Sequence, residues 1–113
     1  MAFQVEFTDE AIRDIESNFE YIHADAPLNA VKWRQGLEKK LHLLTFMADS
    51  FGLAKESQYA PGKLQELFFG NFRILYTVRD SVAVVLTIRR GLRRFLKPSD
   101  IQKLWPKDTF ESH

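Results

Sequence analysis

Apolar and polar positions along this chain follow two different periods, and the switches between them divide it into strands and helices. Phe3, Val5 and Phe7 alternate with Gln4 and Glu6, the two-residue period of a short strand. Ile12, Ile15, Phe19 and Ile22 then recur at steps of three and four, the stripe of a helix resting on a core. Thr8 stands where that helix needs an N-cap, and Asp9 and Glu10 follow where the helix dipole favours negative charge. The stretch 23–27 breaks the pattern and ends in Pro27, which a helix tolerates in its first turn, so a second helix starts there. Its stripe is Ala30, Trp33, Leu37, Leu41, Leu44 and Ala48. Gly36 inside it costs about 1 kcal/mol relative to Ala, so this helix depends on what it packs against. Two helices joined by so short a break predict an antiparallel hairpin.

No period survives over residues 49–62, where Ser50, Gly52, Ser57, Pro61 and Gly62 predict a loop. Strand character returns over residues 63–69, and Gly70-Asn71 reads as a hairpin turn. Phe72, Ile74, Tyr76 and Val78 then alternate with Arg73, Leu75, Thr77 and Arg79, and Asp80-Ser81 supplies the next turn. The run Val82, Ala83, Val84, Val85, Leu86, Thr87, Ile88 is β-branched and apolar on both faces, as a central, doubly covered strand would be. Pro98-Ser99-Asp100 starts a last helical turn that reaches Leu104. The expected fold class is α+β in the order β-α-α-β-β-β, an antiparallel helical hairpin packed on one face of a mainly antiparallel sheet. A single domain is expected over residues 1–113, with its core at 3–100 and a C-terminal tail at 101–113.

Charge changes this picture more than composition does. The net charge is only +1, yet residues 1–62 carry ten Asp/Glu against six Lys/Arg, and residues 63–113 carry ten Lys/Arg against five Asp/Glu. Five of the nine residues at 89–97 are cations: Arg89, Arg90, Arg93, Arg94 and Lys97. Their mutual repulsion destabilises the fold unless an anion offsets it, so the cluster is a candidate site for an anionic partner. The plainer reading is that they coat a surface. Arg73, Thr77 and Arg79 share one side of their strand, and an arginine there is rarely buried without a counter-ion. Two readings of Arg73 stand: a structural salt bridge, for example with Glu66, or a place in a concave anion site with the 89–97 cluster.

Other chemistry is thinly represented. The absence of cysteine excludes a disulfide framework, a thiolate zinc site and a cysteine nucleophile. His23 and His42 fall on different helices with no paired carboxylate, so no metal is expected. No serine has a nucleophile setting and no glycine loop cradles a phosphate, so no cofactor is expected. No apolar run approaches the roughly 20 residues of a membrane span, and no signal sequence opens the chain, which makes a cytoplasmic protein the expectation. Trp33 lies on the apolar stripe of its helix. Trp105, beside Pro106, has two readings, core packing or docking on a partner.

The order of these elements and their residues resembles the RelE/ParE superfamily of toxins from bacterial type II toxin–antitoxin (plasmid stabilisation) systems. The resemblance runs over residues 3–100. It rests on Val5-x-Phe7-Thr8-x-x-Ala11, Tyr21-Ile22 with Asp25-x-Pro27, and Phe51-Gly52-Leu53. Above all it rests on Phe72-Arg73-Ile74-Leu75-Tyr76-x-Val78 followed by Val84-Val85-Leu86-x-Ile88-Arg89-x-Gly91-x-Arg93. It implies a poison of translation or of chromosome topology, silenced by a cognate antitoxin protein in a hetero-oligomer. In the ribosome-dependent ribonuclease branch, Arg73, Arg89 and Arg93 would clamp a phosphate of ribosome-bound mRNA. That branch typically carries lysines where this chain has Leu64 and Glu66. It also ends in a tyrosine or histidine, and after Tyr76 this chain offers only His113. The gyrase-targeting ParE branch is more similar, through the long hairpin and its Asp-x-Pro turn. The resemblance therefore implies a ParE-like toxin that binds DNA gyrase without acid–base chemistry. A RelE-like mRNA endonuclease and an inactive relative kept for complex formation are the alternatives.

Overall fold

Thr8 sets the first turn of the structure. In the computed structural model, which describes residues 2–106, its hydroxyl accepts the Ala11 N–H at 3.1 Å and donates to the Leu86 carbonyl at 3.0 Å. One side chain thus caps a helix and ties its start to a strand far along the chain. The elements are β1 (Gln4–Phe7), α1 (Asp9–Asp25), α2 (Pro27–Met47), a 3-10 helix (Lys55–Tyr59), β2 (Gln65–Phe69), β3 (Phe72–Arg79), β4 (Val82–Arg90) and α3 (Pro98–Leu104). The expected order holds, with Pro27 opening α2 and two additions, the 3-10 helix and a full α3. The sheet runs β1-β4-β3-β2, with β2, β3 and β4 an antiparallel meander and β1 parallel to β4. Its two hairpin turns place Gly70 and Asp80 at φ 55°, the left-handed region that glycine and aspartate enter most readily.

The α1–α2 hairpin covers one face of the sheet. Ala11, Leu37, Leu41 and Leu44 pack there against Phe72, Ile74, Tyr76, Val85 and Ile88. Tyr76 is wholly buried, and its hydroxyl donates to the Ala48 carbonyl at the end of α2 at 2.5 Å. Burial, with the charge of Asp49, pushes that phenol well above its ordinary pKa. Gly36 has a purpose that helix propensity hides. A Cβ added there would lie 2.9 Å from the Phe69 ring, so glycine is what lets β2 approach α2.

The other face is covered too, by a layer in addition to the expected hairpin. Leu64, Leu75, Val84 and Leu86 form a second core with Ile101, Leu104 and Trp105. The boundary expected at residue 100 therefore falls inside α3, and Ile101, Leu104 and Trp105 are core rather than tail. The cause is plain in β4, whose apolar residues point to both sides and need cover on both. Of the expected tail, residues 107–113, His113 included, lie outside the described residues. No described helix is long and apolar enough to cross a membrane.

A bulge in β4 decides where its last residues point. Leu75 pairs with Thr87 but Tyr76 pairs with Val85, so Leu86 is an extra residue that shifts the phase. Beyond it Ile88 and Arg90 face the helical hairpin, and Arg89 pairs with Arg73 on the opposite face. β1 stops at Phe7, and past it the free edge of β4 is held by α1. The Asp14 carboxylate accepts the Ile88 N–H at 3.0 Å and the Thr87 hydroxyl.

Candidate functional site

The six cations singled out by the sequence go to three environments. Arg73 is wholly buried at the start of β3. Its Nη1 and Nη2 donate to the two oxygens of Glu56 at 2.9 and 2.7 Å, a bidentate pair. Its Nε and Nη2 donate to Glu66 Oε1 at 3.2 and 2.9 Å, and Nη1 also reaches the Arg94 carbonyl at 3.0 Å. A guanidinium has five N–H groups, and these five bonds use them all. Arg73 is therefore removed from the candidate anion site, and of its two readings the geometry takes the salt bridge. With no N–H left over, it has nothing to offer a phosphate.

Glu56 is the residue that sequence reasoning missed. It sits in the 3-10 helix, wholly buried, in a stretch without periodicity. Burial by itself would raise its pKa, but the Arg73 N–H groups and the Leu96 N–H, donated to Oε2 at 2.8 Å, hold the carboxyl below its usual range. Burial opposes the charge of Arg73 as well, and the bonds to Glu56 and Glu66 overcome it, leaving the guanidinium more firmly protonated than usual. One signal was available. A buried strand arginine demands carboxylates, and Glu56 and Asp49 are the only acids between residues 49 and 65.

Arg89 and Arg90 take opposite faces of β4. Arg89 is half-buried and donates from Nε to the Thr87 hydroxyl at 2.9 Å, which in turn donates to Asp14. Burial raises the Asp14 pKa, against the opposing effect of the Thr87 and Ile88 bonds. Arg90 is exposed and lies over the Tyr21 ring at 4.5 Å and the Phe72 ring at 5.6 Å, which orients it toward the hairpin.

Arg93, Arg94 and Lys97 are exposed on an arm, residues 91–97, that leaves β4. Gly91 makes the exit possible. Its φ is +99°, its N–H donates to the Asn71 carbonyl at 2.6 Å, and a Cβ there would meet the Arg94 side chain at 2.8 Å. The Arg94 N–H closes the turn on the Gly91 carbonyl at 3.2 Å. Further along, the Tyr59 hydroxyl donates to the Leu96 carbonyl at 2.8 Å, and Phe95 lies under the Lys55 ammonium at 5.0 Å and the Arg73 guanidinium at 5.2 Å. At its far end the Lys97 N–H donates to the Asp100 carboxylate at 3.1 Å, where α3 begins. Among the described residues, Arg89, Arg90, Arg93, Arg94 and Lys97 form no ion pair with a carboxylate. Among the described residues, the arm is a surface of positive charge without a paired carboxylate, on a backbone held by these bonds.

A family model described as the ParE toxin of the type II toxin–antitoxin system, parDE, matches residues 5–95. The chain belongs to the ParE toxin family. The match takes in the hairpin, the sheet and the arm through Phe95, and ends before α3. Among solved structures, a chain titled "Chromosomal ParDE TA system from P. aeruginosa" superposes with a TM-score of 0.67 at 20% identity. The alignment covers 80% of this chain and 97% of that one, a likeness of fold. No curated protein matches the sequence. Membership in a ParE family implies an antitoxin as partner.

The remaining candidates have ordinary surroundings. His23 stacks beside Phe19 with ring centroids 5.6 Å apart, and His42 meets Phe46 edge-on at 5.5 Å. Among the described residues no three His, Asp or Glu side chains come together as a metal-holding group. Trp105 packs in the second core, so of its two readings the structure takes the first. Trp33 contacts Phe72 at 5.3 Å, as its stripe position predicts.

Proposed function

We propose that this ParE family member arrests growth in the cytoplasm by binding DNA gyrase, and that a cognate antitoxin silences it. The observation that carries this reading is the arm. Arg93, Arg94 and Lys97 are exposed on an anchored backbone, with Arg89 and Arg90 beside them at the end of β4 and no carboxylate of the described chain paired to any of the five. Fixed cations with low reorganisation suit recognition of an anionic surface, and they need no acid–base chemistry to act by binding. The ribonuclease alternative relies on Arg73 as a phosphate clamp, and every N–H of Arg73 is already bonded.

The antitoxin would cover the arm and the helical hairpin together. The hairpin offers exposed Tyr21, Leu28 and Val31, and a groove of about 380 Å³ lined by Val5, Phe7, Ile15, Leu37 and Leu41. An acidic, amphipathic segment would complement both surfaces and hide the charge until it is degraded. A supercoiling assay with purified gyrase tests the proposal: inhibition is expected at a molar excess of the protein and relief on adding its antitoxin. Unimpaired supercoiling at large excess, with new 5′ ends on translated message by primer extension, would replace this reading with the ribonuclease one.

A further inference from the structure

The arm has few attachments of its own. Its residues Arg93, Arg94 and Phe95 are exposed, and between the Gly91 turn and the N-cap of α3 at Lys97 its backbone is fastened, among the described residues, at Arg94 and Leu96. All three fastenings lead inward to one place. The Leu96 N–H donates to Glu56, the Leu96 carbonyl accepts from Tyr59, and the Arg94 carbonyl accepts from Arg73, which Glu56 holds by a bidentate pair. Phe95 adds a fourth contact, lying against Arg73 and against Lys55 of the same 3-10 helix.

We infer that Glu56 is a positioning residue for the target-binding arm: together with Tyr59 it sets where Arg93, Arg94 and Lys97 stand, acting through Arg73 and the Leu96 peptide. The inference rests on the reading that the arm meets the target. Its physical basis is that a buried carboxylate accepting from both a guanidinium and a peptide N–H fixes their relative position. Each bond is strong in a site closed to water, and Glu56 is the group that the guanidinium and the Leu96 N–H share. A loose arm would carry the same charge but would have to be ordered on binding, so affinity would fall without any loss of cations.

Two variants separate this role from bulk stability. Tyr59→Phe removes only the hydroxyl that holds the Leu96 carbonyl, and leaves the Arg73–Glu56 pair intact. Glu56→Gln keeps the shape but loses the charge-assisted grip. Amide hydrogen exchange on the full chain reads the arm directly, and gyrase supercoiling inhibition reads its consequence, with Arg93→Glu/Arg94→Glu measured in parallel. Exchange of the Leu96 amide is expected to rise at least tenfold in both variants while the α2 and β3 amides keep their protection. The concentration needed for half inhibition is expected to rise about tenfold in step. Unchanged exchange at Leu96 in folded variants would overturn the inference. So would a loosened arm with unchanged inhibition when the double glutamate variant is inactive. If the double glutamate variant inhibits as well as the parent, the target reading of the arm fails instead, while the exchange data still decide whether Glu56 holds it. Should Glu56→Gln not fold, Glu56→Asp, which keeps the charge but shortens the reach to the Leu96 N–H, takes its place in the same two measurements.

Discussion

Arg73 and Arg93 are the same side chain put to opposite uses by two neighbouring regions. Beneath the sheet, Arg73 is enclosed with Glu56 and Glu66, every N–H bonded. On the arm, Arg93 is exposed and forms no ion pair among the described residues. The first kind of arginine contributes to the fold by satisfying partners that would otherwise be stranded. The second stands in solvent, where a charge contributes little to the fold. The difference teaches that a cation-rich stretch is not one site: carboxylates elsewhere in the chain decide which of its members are available. Here they also link the regions, because the buried cluster holds the backbone on which the exposed cations ride.

The sharpest way to break the contrast is to remove the buried partner. Arg73→Met should destabilise the protein by about 3–5 kcal/mol in urea unfolding, because Glu56 is left charged and enclosed. A loss as small as that of a surface change would mean that Arg73 is not buried as described. Trp105→Ala should cost about 3 kcal/mol, the value for a large aromatic removed from a core. An unaltered midpoint would return Trp105 to the tail.

Acid sharpens the comparison through the buried carboxylates. The Glu56 pKa is held down in the folded state, so its contribution is present above the ordinary glutamate range near 4.5 and is lost as the pH falls below it. Asp14 has the opposite sign. Its raised value favours the folded state on acidification, with the gain complete once the pH has fallen below the ordinary value of 3.8. Urea midpoints from neutral pH downward should show the Glu56 loss at the acid end. In Arg73→Met that limb should invert, because protonation relieves the unpaired carboxyl. The smallest expected effect on stability is at the arm. Arg93→Glu should change unfolding by no more than about 0.5 kcal/mol yet abolish growth inhibition on induction. Loss of cooperative unfolding in that variant would make Arg93 structural and erase the contrast.

How much of this was legible depends on how local each cause is. Thr8 as an N-cap, Pro27 opening α2, the turns at Gly70 and Asp80 and the hairpin stripes were readable, because each is set by residues within a turn or two of one another. The cover on the second face was half legible: Val82 to Ile88 announced a doubly buried strand, but not which segment would bury it. Gly36 announced a helix that depends on its packing partner, but not which one, since the ring it makes room for belongs to β2.

The candidate site divides along the same line. By itself the sequence determined the order of elements, the two-sided apolar strand and the density of cations that follows it, since these are properties of neighbours in the chain. Only the tertiary structure decided that Glu56 would take Arg73 away from the surface and pin Leu96, a pairing across seventeen residues that no period encodes. It also decided, through one extra residue at Leu86, that Arg89 and Arg90 face opposite sides of the sheet. A strand apolar on both faces leaves its register open to either choice, and packing against the helices on one side and α3 on the other is what closes it.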